Sequence, residues 1–477
     1  MNYSTSQRFL LTAAWVVPVA QPAMAGGAVL ISEGKIEAVL SASESLSLKS
    51  AQPDLPAIDL DSAVLTPGLI NLHTHLDYTN MAHLETFDGE TMFDWLEELV
   101  SQSRNQLNHA EALAQSALAG AQEAALAGTS LIVDSTFSGA PAQALAQVGL
   151  KGLVGLELFG LDEGQADFLF GLWQERLAQL TATAGSALCQ ALESGQVRLT
   201  VAPHAPYTVS PQLWLKAHKW AKEKGLPLTC HLAESDSEFN WIKDQDKRLH
   251  RYLLKVMPKK PAKDLSEESA RDCERELDAR LRELPWKGHG QTPCQHLNMY
   301  ELLDEDTIAA HCLKITDADI KILASRQVKV ALCPRSNWRL KNGLPRPKTL
   351  IDSGITLGLG TDSRASSPSL NLLAEAHYLR ERLLEEGKTT DDLALAPQYS
   401  QLLFMLTLGG ARAVGLAHQT GSLEVGKCAD IAAFDLNGAL DQPANQEDVL
   451  KTIFQHSPNC RLLLVDGKTV VSGGSLL

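Results

Sequence analysis

Eight short apolar runs, each trailed by a stretch of helical periodicity, recur through this chain and constrain its fold more than any other feature. The runs are LINLHTH, TSLIVDST, GLVGLELFG, VRLTVAPHA, PLTCHLAE, TIAAHCL, VKVALCPRS and ITLGLGTDS, between residues 69 and 363. Strands that alternate with helices read as parallel βα units, because a parallel connection must cross back over the sheet. Eight such units close on themselves, so the expected fold is α/β, a (β/α)8 TIM barrel. The intervening AEALAQSALAGAQEAALAG and SPQLWLKAHKWAKEKG space their apolar residues about four apart and end in Gly, as an outer helix with a glycine C-cap does.

A barrel leaves residues over at both ends of a 477-residue chain. Near the start, GAVLISEGKIEAVL reads as strand, Glu-Gly turn and strand; near the end, GSLEVGKCADIAAFDLNG and RLLLVDGKTVVSGG have the same texture. The expected division is a barrel over 67–415 and a small β-sandwich built jointly from 1–66 and 416–477. One segment breaks the rhythm. From about 236 to 291 the chain is dense in charge, includes MPKKPAK, and runs through LSEESARDCERELDARLRELPW, which reads as an exposed helix. A solvated face is the plain expectation for it; a lid or a homo-oligomer contact is the alternative, because the insert follows a strand end. The opening residues carry an apolar stretch that closes in Ala-x-Ala, the outline of a secretory signal. A single basic residue, Pro18 inside the run and direct continuation into a strand favour a folded segment instead.

The formal net charge of -15 excludes a protein that neutralises a nucleic-acid backbone. No apolar run reaches the length of a membrane span, and the 44% hydrophobic and 21% charged fractions are those of a globular chain. The eight cysteines form no C-x-x-C pair, so reduced thiols in a cytoplasmic protein are expected, with neither a disulfide framework nor a cysteine-based zinc site. The expected partner is a small molecule.

His73 and His75, at the end of PGLINLHTH, lie two apart in a strand and so face one side, toward the barrel interior. Imidazoles in an apolar core need partners, and by itself this pair fits satisfied core histidines as well as a metal. The other strand ends shift that balance. TCHLAES supplies His231 and, three residues on, Glu234; IAAHC supplies His311, LGLGTDS supplies Asp362, and APHAPYT supplies His204. In a TIM barrel the C-terminal strand ends form the active-site mouth, so these residues would meet in one place. Imidazole and carboxylate donors without thiolate suit a divalent metal, zinc first and iron as the alternative.

The same motifs carry a resemblance. With PGLINLHTHLDYT, HAPYT, HLAES, AAHC, CPRSN and GTDSRASSPSLN in order, and AVLISEGKIEAV and GSLEVGKCADIAAFD at the ends, the chain resembles the amidohydrolase superfamily. Within it the chain is similar to the cytosine deaminase and triazine hydrolase branch, which includes aminofutalosine and adenosylhomocysteine/methylthioadenosine deaminases. The resemblance implies that His73, His75, His231 and Asp362 are metal ligands and that Glu234, His311 and Asp362 are the catalytic groups. Binuclear members use a strand-4 lysine to bridge two metals; VAPHA offers none, so one metal is expected. His204 would, by the same resemblance, contact substrate. Arg335 and Ser336 in CPRSN would reach a substrate tail, unless Ser336 or Asn337 simply caps the helix that begins there. Trp95 in FDWLEEL would line the substrate site, unless it belongs to the core face of an amphipathic helix.

The implied reaction is hydrolytic removal of an exocyclic amino group from a purine nucleoside or similar N-heterocycle. Water activated by the metal and oriented by Asp362 and His311 would attack the carbon bearing the amine, while Glu234 protonates the adjacent ring nitrogen. Two other readings compete: a dechlorinase or N-dealkylase of triazine rings, and a non-catalytic scaffold. Glu234 weighs toward deamination, since halide leaves without a proton. Intact ligand positions weigh against the scaffold.

Overall fold

The computed structural model describes residues 8–89, 91–107, 110–244, 249, 252–253, 290–386, 396–436 and 445–477. The eight runs are all strands: β1 (Leu69–Thr74), β2 (Thr129–Thr136), β3 (Lys151–Leu158), β4 (Val197–Pro203), β5 (Leu228–Leu232), β6 (Thr307–His311), β7 (Lys329–Leu332) and β8 (Leu357–Leu359). They pair in parallel as two half-sheets, β4-β3-β2-β1 and β5-β6-β7-β8. The half-sheets meet at two seams. Between β1 and β8, Asp362 N–H donates to the His73 carbonyl at 3.0 Å and Thr361 N–H to Asn71 Oδ1 at 3.1 Å. Between β4 and β5, His231 N–H donates to the His204 carbonyl at 2.8 Å and Thr200 Oγ1 to the Pro227 carbonyl at 2.6 Å. Ile70, Leu72, Leu131, Val133, Leu153, Ile308 and Ala331 form one buried cluster that joins the two halves and fills the space between them. Gly360 permits the closest approach of the seam: a Cβ there would stand 2.8 Å from the His73 carbonyl oxygen and 2.9 Å from its nitrogen.

Helices cover the outside, and their ends follow local rules. Helix Pro211–Lys224 starts at Ser210, whose side chain accepts from Leu213 N–H, carries Pro211 in its first turn, and ends at Gly225 with φ of 63°. Leu213, Trp214, Ala217 and Ala221 line its buried face at three- and four-residue intervals. Burial of Leu213 and Trp214 contributes roughly 1.5–3 kcal/mol each.

The two chain ends build two sheets beside the barrel. Phe9–Thr12, Ala28–Ser32, Lys35–Leu40 and Ala57–Asp59 form a four-stranded sheet. In the other, Ala63–Pro67 pairs antiparallel with Ile431–Asp435 and continues through Leu462–Val465, Lys468–Ser472 and Ser475–Leu476, with Trp15–Val16 and Met24–Ala25 on the far side. Period-two alternation sorts the side chains. Leu65, Ile431, Ala433, Leu462 and Leu464 pack toward Phe9, Leu11, Val29 and Ile31 of the first sheet, whereas Val64, Ala432, Phe434 and Leu463 join the core shared with the barrel. The apolar opening stretch is thus strand and core here: Phe9, Leu10, Leu11, Val16 and Val17 are buried. Among the described residues no helix is long and apolar enough to cross a membrane.

The charged insert needs correction where it is described. Helix Asp236–Asp244 buries Glu238, Trp241 and Ile242, and with Leu249, Tyr252 and Leu253 it packs on Phe93, Leu161, Ala205 and Tyr207 above the strand ends. Apolar residues spaced three or four apart within the charge run account for this, so this part is not a solvated face. The LSEESARDCERELDARLRELPW stretch lies outside the described residues.

Candidate metal centre

The strand ends bring His73, His75, His231, His311, Glu234 and Asp362 into one buried cluster; each is 8% exposed or less. Two hydrogen bonds set the state of its imidazoles. His75 Nδ1 donates to the Ser135 carbonyl at 2.7 Å, and His231 Nδ1 donates to the His204 carbonyl at 3.1 Å. A carbonyl oxygen only accepts, so each ring holds its proton on Nδ1 and presents a lone pair at Nε2. Those two Nε2 atoms face each other at 3.0 Å. His73 Nε2 is buried with no hydrogen-bond partner among the described residues, and Asp362 Oδ1 stands 3.9 Å from it and 3.7 Å from His75 Nε2. Lone pairs so opposed repel unless a cation lies among them. Three imidazole nitrogens and a carboxylate, with carbonyls fixing two of the rings from behind, fit a divalent metal.

His311 and Glu234 face that group from the other side. His311 Nδ1 donates to Asn337 Oδ1 at 2.9 Å, which leaves Nε2 3.8 Å from Glu234 Oε2. The backbone here is strained: His311 has φ of 72°, Asp362 of 57° and Ala233 of 53°, the left-handed region that non-glycine residues avoid. The surroundings hold these conformations in place. Glu238 accepts from the N–H groups of Ala233 and Glu234 at 2.9 and 2.8 Å, one on each oxygen. Ser336 Oγ and Ser366 Oγ donate to Asp362 Oδ2 at 2.6 and 3.2 Å, and Ser363 N–H donates to Oδ1 at 2.7 Å.

The electrostatics separate the two carboxyls. Against the effect of its own burial, the imidazoles of His75, His73 and His311 and the Ser336 hydroxyl hold Asp362 down at about 2. Burial, with Asp362 and Glu238 nearby, pushes Glu234 well above the usual carboxylate range. Burial also keeps His73 and His231 well below the ordinary histidine value, neutral as a metal requires. One carboxyl is built to stay ionised, the other to keep a proton.

The residues expected to touch substrate are placed differently. His204 joins the cluster, its ring centroid 4.8 Å from that of His231. Arg335 does not: its guanidinium pairs with buried Glu375 at 2.5 Å and donates to Ser369. Ser336 is occupied by Asp362, and the Trp95 indole donates to the Ala365 carbonyl at 3.1 Å within an apolar cluster of Met81, Leu84, Met92, Leu99 and Leu340. In all three, substrate contact gives way to bonds inside the protein, because each polar group is buried and needs a fixed partner. Nor does Ser336 or Asn337 cap the helix Pro334–Arg339, which starts at Cys333 without a side-chain cap.

Sequence reading missed several residues that shape this centre. Asp134 accepts from Thr74 Oγ1 at 2.6 Å and Leu76 N–H at 2.8 Å, bracketing His75; Asp77 accepts from Thr136 Oγ1, Phe137 N–H and Ser138 N–H. Glu157, at the end of β3, lies 4.0 Å from His75 Nδ1. A carboxylate inside the apolar runs TSLIVDST and GLVGLELFG was the available signal. Glu238, within a charge run, gave none.

The chain is 26% identical over 470 residues, 98% of its length and 95% of the relative's, to a 5-methylthioadenosine/S-adenosylhomocysteine deaminase of Moorella thermoacetica. In fold it matches a zinc-bound adenosine deaminase of Xanthomonas campestris with a TM-score of 0.75 at 23% identity, covering 99% of this chain and 94% of that one. It matches the zinc-complexed atrazine chlorohydrolase of Arthrobacter aurescens with a TM-score of 0.75 at 20% identity, covering 98% and 96%. The family model described as Amidohydrolase family matches residues 64–470, and the chain belongs to that family.

Proposed function

We propose that this protein is a metal-dependent aminohydrolase that removes the exocyclic amino group of an adenosine-like purine nucleoside and releases ammonia. The observation that carries the reading is the pair of opposed Nε2 lone pairs of His75 and His231, with ionised Asp362 on one side and Glu234 and His311 on the other. His73, His75, His231 and Asp362 would hold one divalent ion, and a set of nitrogen and oxygen donors without thiolate suits zinc. When bound, the metal supplies the Lewis acidity that brings the pKa of a water near neutrality.

The chain's own groups do the rest. Asp362, ionised near neutral pH, would take a proton from the attacking water, whose acidity the metal raises, and pass it to the amine as the C–N bond breaks and ammonia leaves, while Glu234 recovers its proton from the added hydroxyl; His311 Nε2 would orient the water. Glu234, whose burial favours the protonated form, donates to the ring nitrogen beside the reacting carbon and so stabilises the tetrahedral stage. The likeness to a named methylthioadenosine/adenosylhomocysteine deaminase over almost the whole chain supports the nucleoside substrate. The likeness to a chlorohydrolase supports the fold alone. A buried proton donor at Glu234 favours an amine leaving group over a halide.

The test is ammonia release by the zinc-loaded protein from adenosine, 5′-deoxyadenosine, methylthioadenosine, adenosylhomocysteine, aminofutalosine, guanine and cytosine, alongside chloride release from a chlorotriazine. Ammonia from the adenosine group supports the reading. Chloride release without ammonia overturns it.

A further inference from the structure

Three consecutive side chains past the end of β7 hold three different parts of the mouth. Ser336 Oγ donates to Asp362 Oδ2 at 2.6 Å, Asn337 Oδ1 accepts from His311 Nδ1 at 2.9 Å, and Arg335 turns away from both to Glu375. One short helix, Pro334–Arg339, carries all three, so Asp362 beyond β8 and His311 at the end of β6 are both referred to a single turn of backbone. The bonds take only the outer atoms of the two groups. Asp362 Oδ1 and His311 Nε2 are left facing His73 and Glu234.

Arg335 fixes that turn in place. Glu375 accepts from its main-chain N–H on one oxygen at 2.7 Å and from its Nε on the other at 2.5 Å, so one carboxylate grips the backbone and the side chain of the same residue. The rest of the guanidinium donates to Ser369 Oγ at 3.2 Å and to the Ser369 carbonyl at 2.8 Å. Ser369 lies between Asp362 and the helix Leu372–Glu386, which carries Glu375. The ion pair therefore locks the turn after β7 to the segment that follows β8.

Stability alone does not account for this pair. Arg335 is 9% exposed and Glu375 is fully buried, and removing two such charges from water offsets most of their attraction. An apolar pair of similar volume often packs such a site as well or better. What an apolar pair lacks is direction, whereas a guanidinium held at several atoms fixes orientation as well as distance.

We propose that Arg335 and Glu375 are positioning residues for the hydrolytic reaction: their ion pair sets the orientation of the Pro334–Arg339 turn and, through Ser336 and Asn337, holds Asp362 and His311 in register with each other. This rests on the aminohydrolase reading above and deepens it, because the proton acceptor and the imidazole that orients the water then act as one unit.

The test compares wild type with Arg335→Lys, Arg335→Met and the double variant Arg335→Met with Glu375→Leu. Each protein is loaded with zinc for kinetics on adenosine, and separately with cobalt(II), whose visible spectrum reads the arrangement of its ligands. Arg335→Met leaves Glu375 buried and unpaired, so its melting temperature should fall, and kcat should fall about 100-fold with KM little changed, the scale for a displacement of about 1 Å. The apolar double variant should regain the melting temperature without regaining kcat, and its cobalt spectrum should differ from that of the wild type. Arg335→Lys keeps the charge without the fork; its kcat should lie between wild type and Arg335→Met, and it serves if the others do not fold. Recovery of kcat together with melting temperature in the apolar pair, equal changes in kcat and KM, or an unchanged cobalt spectrum overturns the proposal and leaves the pair a packing feature. The spectrum responds whether or not adenosine is turned over. A wild type silent on adenosine, with a cobalt spectrum that shifts in the variants, counts against the substrate reading and supports the positioning role.

Discussion

One carbonyl oxygen, that of His204, accepts from both the main-chain N–H and the ring Nδ1 of His231, at 2.8 and 3.1 Å. The first bond joins β4 to β5 and the second fixes the imidazole tautomer. Closure of the barrel and orientation of a proposed metal ligand are therefore one event. Asp362 repeats the device at the opposite seam, where its N–H binds the His73 carbonyl at 3.0 Å.

His231→Ala removes one of the two opposed Nε2 atoms and leaves the main-chain bond from residue 231 across the barrel seam in place. The variant should fold, lose most of its zinc and lose activity with the metal. Full zinc occupancy by elemental analysis would remove His231 from the ligand set.

Glu234→Gln keeps size and hydrogen-bonding capacity but carries no transferable proton. Zinc content should be unchanged while kcat falls about 10²- to 10⁴-fold, the usual contribution of a positioned acid or base. Near-normal turnover would strike Glu234 from the proton transfer proposed here.

Glu238→Gln tests positioning at one remove. Glu238 binds the N–H groups of Ala233 and Glu234 through separate oxygens, and an amide nitrogen cannot accept the second bond. Loss of one bond to a buried charged acceptor, about 1.5–3 kcal/mol, should lower kcat more than it raises KM, because Glu234 is displaced while the proposed metal ligands are not. An equal change in both parameters would point to general loosening.

Ser336→Ala removes the 2.6 Å hydroxyl donor from Asp362. Partners behind a ligand typically account for about 10- to 100-fold in metal affinity, so chelator competition should show weakening of that order. Unchanged affinity would mean that Ser366 and the Ser363 N–H suffice to orient the carboxylate.

Lys151→Met probes the joint between barrel and terminal sheets. Lys151 Nζ pairs with Asp430 and Asp466, each at 2.7 Å, and Asp430 is 2% exposed. Removal of the cation leaves a buried carboxylate unpaired, a loss of roughly 3 kcal/mol or more, which a thermal or denaturant melt should read as a clear fall in midpoint. A midpoint within error of the wild type would show that water reaches Asp430.

The sequence by itself determined the barrel and the kinds of group at its mouth. Periodicity is local, so LINLHTH and TSLIVDST declare strands and place His73 and His75 on one face without reference to anything distant. Strand ends then deliver His231, His311, Asp362 and Glu234 to one rim by the geometry of the fold. Partner choice was decided only by the tertiary structure. Ser336 could equally have capped a helix or met a substrate; its hydroxyl instead donates a hydrogen bond to Asp362, 26 residues on. The tautomer of His75 depends on the Ser135 carbonyl 60 residues away, and the approach of Thr361 to Asn71 spans 290. Such bonds are set by the packing of strands that are neighbours in space and far apart in the chain, and no local pattern encodes which of several buried acceptors a given proton will find.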